Sequence, residues 1–281
     1  MDARHIAEHV PLAEGWAAWR ALSPPTEGHR LWDYGAKVFS QNGEDGILHR
    51  IFSEIGTSEA KNIVEIGAGD GIECMAANLI LNHGFSAMLL DGSDYWLMRG
   101  IEEYHKRDPA LLERAHFCHA WITRENVVDV LKQYGAIGEC DLFSLDIDGI
   151  DYYVLKAIMD AGVLRPRVMV LEYQDILGPT STHTVAYDPA FDHRRYDCWN
   201  GPNYCGASLG AFHHLLKDTY AFVGCEGLGF NAFFVRRDLL TEHLTEMKDV
   251  TPCFGLAKVT EGMRTRAPRT AHLPWVDVTK L

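Results

Sequence analysis

An alternation of short apolar segments with helical segments between residues 62 and 173 constrains the fold of this chain more than any other feature. Five of the apolar segments are predicted strands: 62–67, 86–92, 115–121, 140–148 and 167–173. Most are apolar on both faces, which is typical of a parallel sheet that helices cover on both sides. The pattern therefore predicts an α/β fold with a Rossmann-like, mostly parallel sheet.

The segments on either side of this alternation divide the chain further. Residues 1–38 look helical and then irregular, and we interpret them as an N-terminal extension of a main domain over 39–249. Within that domain, 178–204 is a long polar and aromatic segment that we interpret as a substrate loop. Residues 220–239 read as two strands joined by a glycine-containing turn, a C-terminal antiparallel hairpin. Residues 250–281 are predicted to be an irregular arm on the surface.

Composition narrows the class of partner. The net charge is −13 and no basic cluster occurs, which argues against nucleic acid and anionic membranes, because phosphate binding needs concentrated Lys and Arg. The seven cysteines are scattered without any C-x-x-C, so we expect neither a zinc site nor disulfides, and a cytoplasmic location is the default. No run of residues approaches the length of a membrane span. We therefore expect a small-molecule partner, and homo-oligomerisation stays open.

A glycine-rich turn after the first predicted strand indicates where that partner binds. In "VEIGAGDG", Gly67 and Gly69 allow the backbone to turn tightly and to approach a ligand closely. The crevice outside the strand ends is the usual ligand site of such sheets. Asp91 ends the second strand beside Gly92, and its carboxylate can accept both hydroxyls of a ribose. These four residues are predicted to bind a nucleoside-containing cofactor.

Acidic residues near the turn favour one cofactor over another. A dinucleotide would place its pyrophosphate at the N-terminus of the next helix. Asp70 and Glu73 lie in or beside the first turn of that predicted helix and would repel a pyrophosphate. They would not repel the ammonium and sulfonium groups of S-adenosylmethionine, which we therefore predict as the cofactor. Glu65, two residues before the first glycine, is a further candidate for contacting it.

Three carboxylates follow the fourth predicted strand in "FSLDIDGIDYYVL". Asp146 and Asp148 share one face of an extended chain, and Asp151 begins the next helix. Glu172, at the end of the fifth strand, is expected to lie close to them. Three roles stay open: binding the positive end of the cofactor, acting as a general base, and holding Mg²⁺. Asp146 is a candidate for all three roles, Asp148 for the base and the metal, and Glu172 for the metal.

Other polar and aromatic residues are weaker candidates. Asn42 is predicted to cap a helix, with Asp45 at its third position. Capping does not explain Gln41, which we predict to reach the cofactor. Trp121 follows the third strand, where it can stack on the adenine. His183, in the predicted substrate loop, is a candidate base near neutral pH.

Six motifs in order resemble a known family. They are "FSQNGEDGIL" (39–48), "VEIGAGDGIEC" (64–74), "SLDIDGIDYYVLKAI" (144–158), "VMVLEYQ" (168–174), "YCGASLGAFHHL" (204–215) and "VGCEGLGFNAFFVRRDL" (223–239). Over roughly 38–240 the chain resembles the FkbM-like branch of class I S-adenosylmethionine-dependent methyltransferases. The resemblance implies the class I methyltransferase sheet, the cofactor, and methyl transfer to hydroxyl groups of sugars or natural products.

The resemblance also bears on the acids. More distant class I enzymes, including macrocin and catechol O-methyltransferases, hold Mg²⁺ with acids at the ends of the fourth and fifth strands. The FkbM-like branch commonly has D-x-E-G-x-E at the fourth strand. This chain has Asp146-x-Asp148-Gly149-x-Asp151 instead, and its shorter acids reach less far.

The sequence therefore predicts a methyltransferase that uses S-adenosylmethionine to methylate an oxygen of a small polar acceptor, with Mg²⁺ if the acids bind it. One alternative is other S-adenosylmethionine chemistry, such as cyclisation or aminocarboxypropyl transfer, which releases methylthioadenosine. Another is a small-molecule binder without catalysis.

Overall fold

The computed structural model describes residues 2–24, 30–196 and 203–281. Its strands, in chain order, are β1 (Asn62–Ile66), β2 (Ser86–Asp91), β3 (Ala115–His119), β4 (Gly138–Leu145), β5 (Leu164–Glu172), β6 (His183–Thr184), β7 (Tyr220–Cys225), β8 (Asn231–Arg236) and β9 (Val276–Asp277). Its α-helices are α1 (Ala3–His9), α2 (Leu12–Leu22), α3 (Glu44–Ile55), α4 (Ala77–His83), α5 (Asp94–Arg107), α6 (Val127–Gln133), α7 (Asp151–Ala161), α8 (Leu209–Leu216), α9 (Thr251–Phe254), α10 (Ala257–Thr265) and α11 (Ala267–Thr270).

One sheet of seven strands organises the described part of the chain. Its order is β3-β2-β1-β4-β5-β8-β7. The pairs among β1 to β5 are parallel, whereas β8 runs antiparallel to both β5 and β7. The predicted Rossmann-like, mostly parallel sheet with a C-terminal antiparallel hairpin is confirmed. Because β1 lies between β2 and β4, the strand order reverses beside it, and a crevice opens there at the carboxyl ends of the strands.

Helices cover both faces of the sheet, which explains the apolar character of its strands. In β4, Phe143 and Leu145 are buried in the cluster that includes α7 and α8. Leu142, on the other face of the same strand, is buried with residues of α3 and α4. Alternate residues of a strand point to opposite faces, so a strand covered on both sides must be apolar at successive positions.

The N-terminal extension is helical, as predicted, through α2. It is held to α3 by a buried hydrogen bond of 2.9 Å from Trp19 Nε1–H to His49 Nδ1. Since Nδ1 accepts this bond, the proton of the neutral ring is on Nε2, which donates to the Val10 carbonyl at 2.8 Å. One imidazole therefore joins both N-terminal helices to the main domain.

The start of α3 differs from the prediction. The helix begins at Glu44 after Gly43, whose φ of 98° is left-handed, and the Asn42 side chain does not cap it. Asp45 instead accepts hydrogen bonds from the backbone N–H groups of Val38, Phe39 and Ser40. The capping prediction for Asn42 is therefore wrong, and Asp45 organises the segment before the helix.

The prediction of an irregular C-terminal arm is also wrong. Residues 251–270 form α9, α10 and α11, and β9 pairs antiparallel with β6. Pro252 and Pro268 lie in the first turns of α9 and α11, where proline is tolerated because those N–H groups have no partner within the helix. Val259 of α10 is fully buried. The arm is thus part of the folded domain. Within the described residues, no helix combines the length and the apolar character that crossing a bilayer requires.

Candidate functional site

Two cavities open at the carboxyl ends of the central strands, and two acids belong to both. The larger, which we call the glycine-turn cavity, has a volume of about 770 Å³. Its lining includes Gly67, Gly69, Asp91, Gly92, Trp121, Asp146, Asp148, Phe191 and His193. The second, which we call the C-terminal cavity, has a volume of about 440 Å³. Its lining includes Gln41, Asn42, Asp146, Asp148, Glu172, Phe230, Lys258, Glu261 and Arg266.

The glycine turn brings the backbone of β1 against the end of β4. Gly67 has a φ of 87°, and a Cβ at this position would overlap the carbonyl oxygen of Asp146. Gly69 has a φ of 57°, and open space lies where its Cβ would be. Only glycine avoids strain and collision at position 67, and position 69 leaves its side of the cavity free for a ligand.

Asp91 closes the other side of this turn. Its Oδ2 accepts from the Gly69 N–H and its Oδ1 accepts from the Ser93 N–H, each at 2.8 Å. Each carboxylate oxygen keeps a further lone pair, so the fixed carboxylate can still accept bonds from a pair of hydroxyls.

An indole ring forms the outer wall beside Asp91. A Cβ on Gly92 would lie 2.9 Å from Cε3 of Trp121, so the ring packs directly over this glycine. Trp121 is 52% exposed. Its Nε1–H donates to the Pro189 carbonyl at 3.1 Å. An exposed aromatic face fixed in this way can stack on a planar ligand group.

Glu65 lies outside both cavities. It is 4% exposed, and its two oxygens accept from the backbone N–H groups of Met75 and Ala76. Burial raises the pKa of this carboxyl group. Glu65 therefore shapes the segment between the glycine turn and α4, which begins at Ala77 instead of near residue 71. The predicted contact with a cofactor does not fit this position.

Asp146, Asp148 and Glu172 come together at the strand ends. One carboxylate oxygen from each lies within 4.8 Å of the others. Asp148 has a φ of 51°, a left-handed conformation that Asp adopts more readily than most residues. Asp151 is turned away and accepts from the N–H groups of Ile147 and Gly149, both at 2.9 Å. Asp151 thus fixes the loop that presents the other acids.

Burial and mutual repulsion make this cluster hold protons strongly. Burial, followed by the negative charges of Asp148 and Asp151, raises the pKa of Asp146 to about 8. Burial also raises the pKa of Asp148, which the charge of His193 partly offsets. The pKa of Glu172 is raised well above its usual value, first by burial and then by Asp146. A cation placed among these oxygens would relieve the repulsion.

The loop histidine nearest the acids is not the one predicted. His183 lies in β6, where its Nδ1 is 3.1 Å from Ser181 Oγ, and it is outside both cavities. His193 Nδ1 lies 3.6 Å from Asp148 Oδ2. The sequence holds both histidines in one polar loop, and no local signal distinguishes them. Trp199 of the same loop lies outside the described residues.

Gln41 lines the C-terminal cavity rather than the glycine-turn cavity, so it lies on the other side of the shared acids from Trp121. The sequence analysis missed the opposite wall of the C-terminal cavity, which α10 forms. Lys258, Glu261 and Thr265 line it at helical spacing. Their i, i+3, i+7 spacing is a signal for one helix face, but the prediction of an irregular arm concealed it.

The strand order and the antiparallel hairpin define a Rossmann-like α/β fold, with the glycine turn after β1 and the acid ending β2 at its crevice. No family model and no curated protein matches the chain.

Solved structures do match. PKMT2 from Rickettsia typhi in complex with AdoHcy is 10% identical, with a TM-score of 0.44, over 68% of this chain and 52% of that chain. The N-terminal domain of EvdMO1, in the presence of SAH and D-fucose, is 13% identical with a TM-score of 0.41. The match covers 68% of this chain and 80% of that chain. A putative O-methyltransferase from Klebsiella pneumoniae is 14% identical with a TM-score of 0.38, over 59% and 75%.

Proposed function

We propose that this protein is an S-adenosylmethionine-dependent methyltransferase that methylates an oxygen of a small polar acceptor. The observation that carries the proposal is the position of Asp146 and Asp148, which line both the glycine-turn cavity and the C-terminal cavity. A donor bound in one cavity and an acceptor in the other would meet at these carboxylates. The six FkbM-like motifs support the same activity and favour a sugar or natural-product hydroxyl as the acceptor.

The glycine-turn cavity suits the donor. Asp91 is fixed by two backbone N–H groups and would accept the ribose hydroxyls. Gly69, which has open space where a Cβ would be, leaves room for the chain of the methionine moiety, and Trp121 would stack on the adenine. The ammonium or sulfonium charge would then point toward Asp146 and Asp148, and it would offset the burial that raises the pKa values of both acids.

The C-terminal cavity suits the acceptor. A hydroxyl placed there can reach the shared carboxylates while the donor occupies the glycine-turn cavity, so the two reactants would be held close together. The pKa of Asp146, at about 8, is in the range of an effective general base near neutral pH. Asp148, with His193 close to it, is the second candidate base. The enzyme would act mainly by positioning the two reactants.

The same acids fit Mg²⁺. Carboxylate oxygens are the protein ligands that this ion prefers, and three of them lie within 4.8 Å of one another. Asp146, Asp148 and Glu172 would hold the ion. When bound, it would anchor the acceptor and lower the pKa of its hydroxyl. The protein would contribute the fixed loop that Asp151 supports.

Product analysis tests the activity. The protein would be incubated with S-adenosylmethionine, Mg²⁺ and a panel of polyhydroxylated acceptors, and the nucleoside products separated by chromatography. Methyl transfer releases S-adenosylhomocysteine in an amount equal to that of the methylated acceptor. Methylthioadenosine would instead indicate cyclisation or aminocarboxypropyl transfer. Tight binding of S-adenosylmethionine without any product across the panel would indicate a non-catalytic binder.

A further inference from the structure

Helix α10 presents a polar face to the acid cluster across the C-terminal cavity. Lys258, Glu261 and Thr265 lie along this face, and Gly262 lies between them. Neither Lys258 nor Glu261 has an ion-pair partner within the described residues. Both side chains are exposed and so are able to form hydrogen bonds with a molecule in the cavity.

Two contacts hold α10 in this position. Arg266 forms an ion pair with Asp175, whose side chain is 2% exposed, just after β5. Gly262 allows this pair, because a Cβ there would collide with the Arg266 guanidinium. Val259 is fully buried and packs directly against Gly229 of the hairpin turn. A wall fixed in this way can select a ligand by shape as well as by charge.

The predicted substrate loop lies mostly elsewhere. Pro189, Phe191, His193 and Arg194 of that loop line the glycine-turn cavity. Trp121 holds the loop there through its bond to the Pro189 carbonyl. In the described part of 178–204, only Asn203 reaches the C-terminal cavity. The described part of the loop therefore lines mainly the proposed donor cavity, and among the described residues α10 forms the opposite wall of the C-terminal cavity.

The charged residues that line the C-terminal cavity determine which kind of acceptor it can bind. The three clustered acids would be balanced by Mg²⁺ and the sulfonium of the donor. Asp175 is balanced by Arg266. Among the described lining residues Lys258 and Glu261 remain, one of each sign, so with the donor and Mg²⁺ bound these residues leave no net charge to attract an ion. An ammonium and a carboxylate one turn apart can together donate to and accept from hydroxyl groups.

We propose that α10 is the acceptor-recognition element, and that Lys258 and Glu261 hydrogen-bond the distal hydroxyls of an uncharged, hydroxyl-rich acceptor. The inference rests on the proposed function, because the charge balance includes the donor and the metal. It extends the proposed function in two ways: it names the residues that select the acceptor, and it excludes charged acceptors.

Ligand-observed NMR tests the proposal without any need for turnover. The full-length protein would be loaded with Mg²⁺ and S-adenosylhomocysteine, with S-adenosylmethionine used in a parallel titration to supply the sulfonium. Methyl β-D-glucopyranoside and its anionic counterpart methyl β-D-glucuronide would then be titrated as probes. We expect the neutral glycoside to bind more tightly. Lys258→Met and Glu261→Met should each raise its Kd about tenfold, the effect of losing a hydrogen bond to a charged group.

Arg264→Met is the matched control, since Arg264 is an exposed cation of the same helix and lies outside the cavity. It should leave the Kd of the glycoside unchanged, and all three variants should bind S-adenosylhomocysteine normally. Tighter binding of the glucuronide, no binding of the glycoside to the wild-type protein, or wild-type affinity in both cavity variants would overturn the inference. If S-adenosylhomocysteine itself fails to bind, the proposed function fails instead.

Discussion

Oδ2 of Asp91 accepts a hydrogen bond from the backbone N–H of Gly69 at 2.8 Å, so the acid that ends β2 and the turn that follows β1 form one unit. Residues 22 positions apart thus create a single ligand surface. Removal of the Asp91 carboxylate is therefore expected to disturb both the ribose contact and the glycine turn.

Asp91→Ala should weaken binding of S-adenosylmethionine by about 1–3 kcal/mol, because charge-assisted hydrogen bonds to the ribose are lost and the glycine turn loses its anchor. Isothermal titration calorimetry on the folded variant measures this. Asp129→Ala, which removes an exposed acid from α6, is the matched control and should bind normally. Equal affinity in the two variants would remove Asp91 from the site.

Mg²⁺ should stabilise the wild-type protein against thermal unfolding, because it binds the folded acid cluster. At a free concentration of about one hundred times its Kd, the ion adds about 2.7 kcal/mol. Glu172→Gln should abolish most of this shift in Tm, whereas Asp160→Asn, at an exposed acid of α7, should retain it. Differential scanning calorimetry with and without a chelator provides the measurement. An identical shift in both variants would show that the ion binds elsewhere.

His49 should make stability depend on pH. Burial, assisted by the nearby His83, lowers its pKa from 6.5 to about 4, although the bond to the Val10 carbonyl opposes the shift. The unfolded chain therefore takes up a proton before the folded chain does, and stability falls as pH drops from about 6.5 toward 4. Between pH 7 and pH 5 the loss from this residue is about 2 kcal/mol.

Urea unfolding at the two pH values tests this expectation. In His49→Gln the pH-dependent loss should be smaller by about 2 kcal/mol than in the wild-type protein. His105→Gln, at an exposed position of α5, should behave as the wild type does. Burial also lowers the pKa of His83, so part of the pH dependence will persist in the His49 variant. If the wild type and His49→Gln lose the same free energy of unfolding between pH 7 and pH 5, the assignment of a buried neutral ring is contradicted.

Gly67→Ala should be strongly destabilising, by about 3 kcal/mol or more, because the methyl group combines a left-handed backbone with a collision. The atom it would strike is the Asp146 carbonyl oxygen. Gly227→Ala is the control, since nothing lies within 4 Å of the corresponding Cβ. Chemical denaturation compares the two free energies of unfolding. A stable Gly67 variant would mean that the end of β4 lies farther from the turn than described.

The central sheet was predictable because its signals are local. Strand periodicity, the glycine turn and the position of Asp91 all follow from neighbouring residues, and the pairing order follows from the layout of such sheets. The meeting of Asp146, Asp148 and Glu172 followed in turn, since parallel strands end at one edge. Prediction of this part needed no knowledge of distant contacts.

The C-terminal wall was not predictable in the same way. Pro252 and Pro268 look like breaks in the sequence, but each occupies the first turn of a helix. Asp175 and Arg266, which form an ion pair, are 91 residues apart in the sequence, so no local sequence pattern predicts this pair. The choice of His193 over His183 likewise depends on where a long loop crosses the sheet edge. These features arise from tertiary packing alone.

The close approach of Gly67 to the main chain of Asp146 has a consequence for how the two cavities respond to ligands. Because the backbones touch without an intervening side chain, a molecule in the C-terminal cavity that moves the Asp146 main chain would shift the glycine turn as well. Occupancy of either cavity is therefore expected to change affinity in the other. Thermodynamic linkage requires that the factor be identical in both directions, which paired titrations of the two ligands can verify.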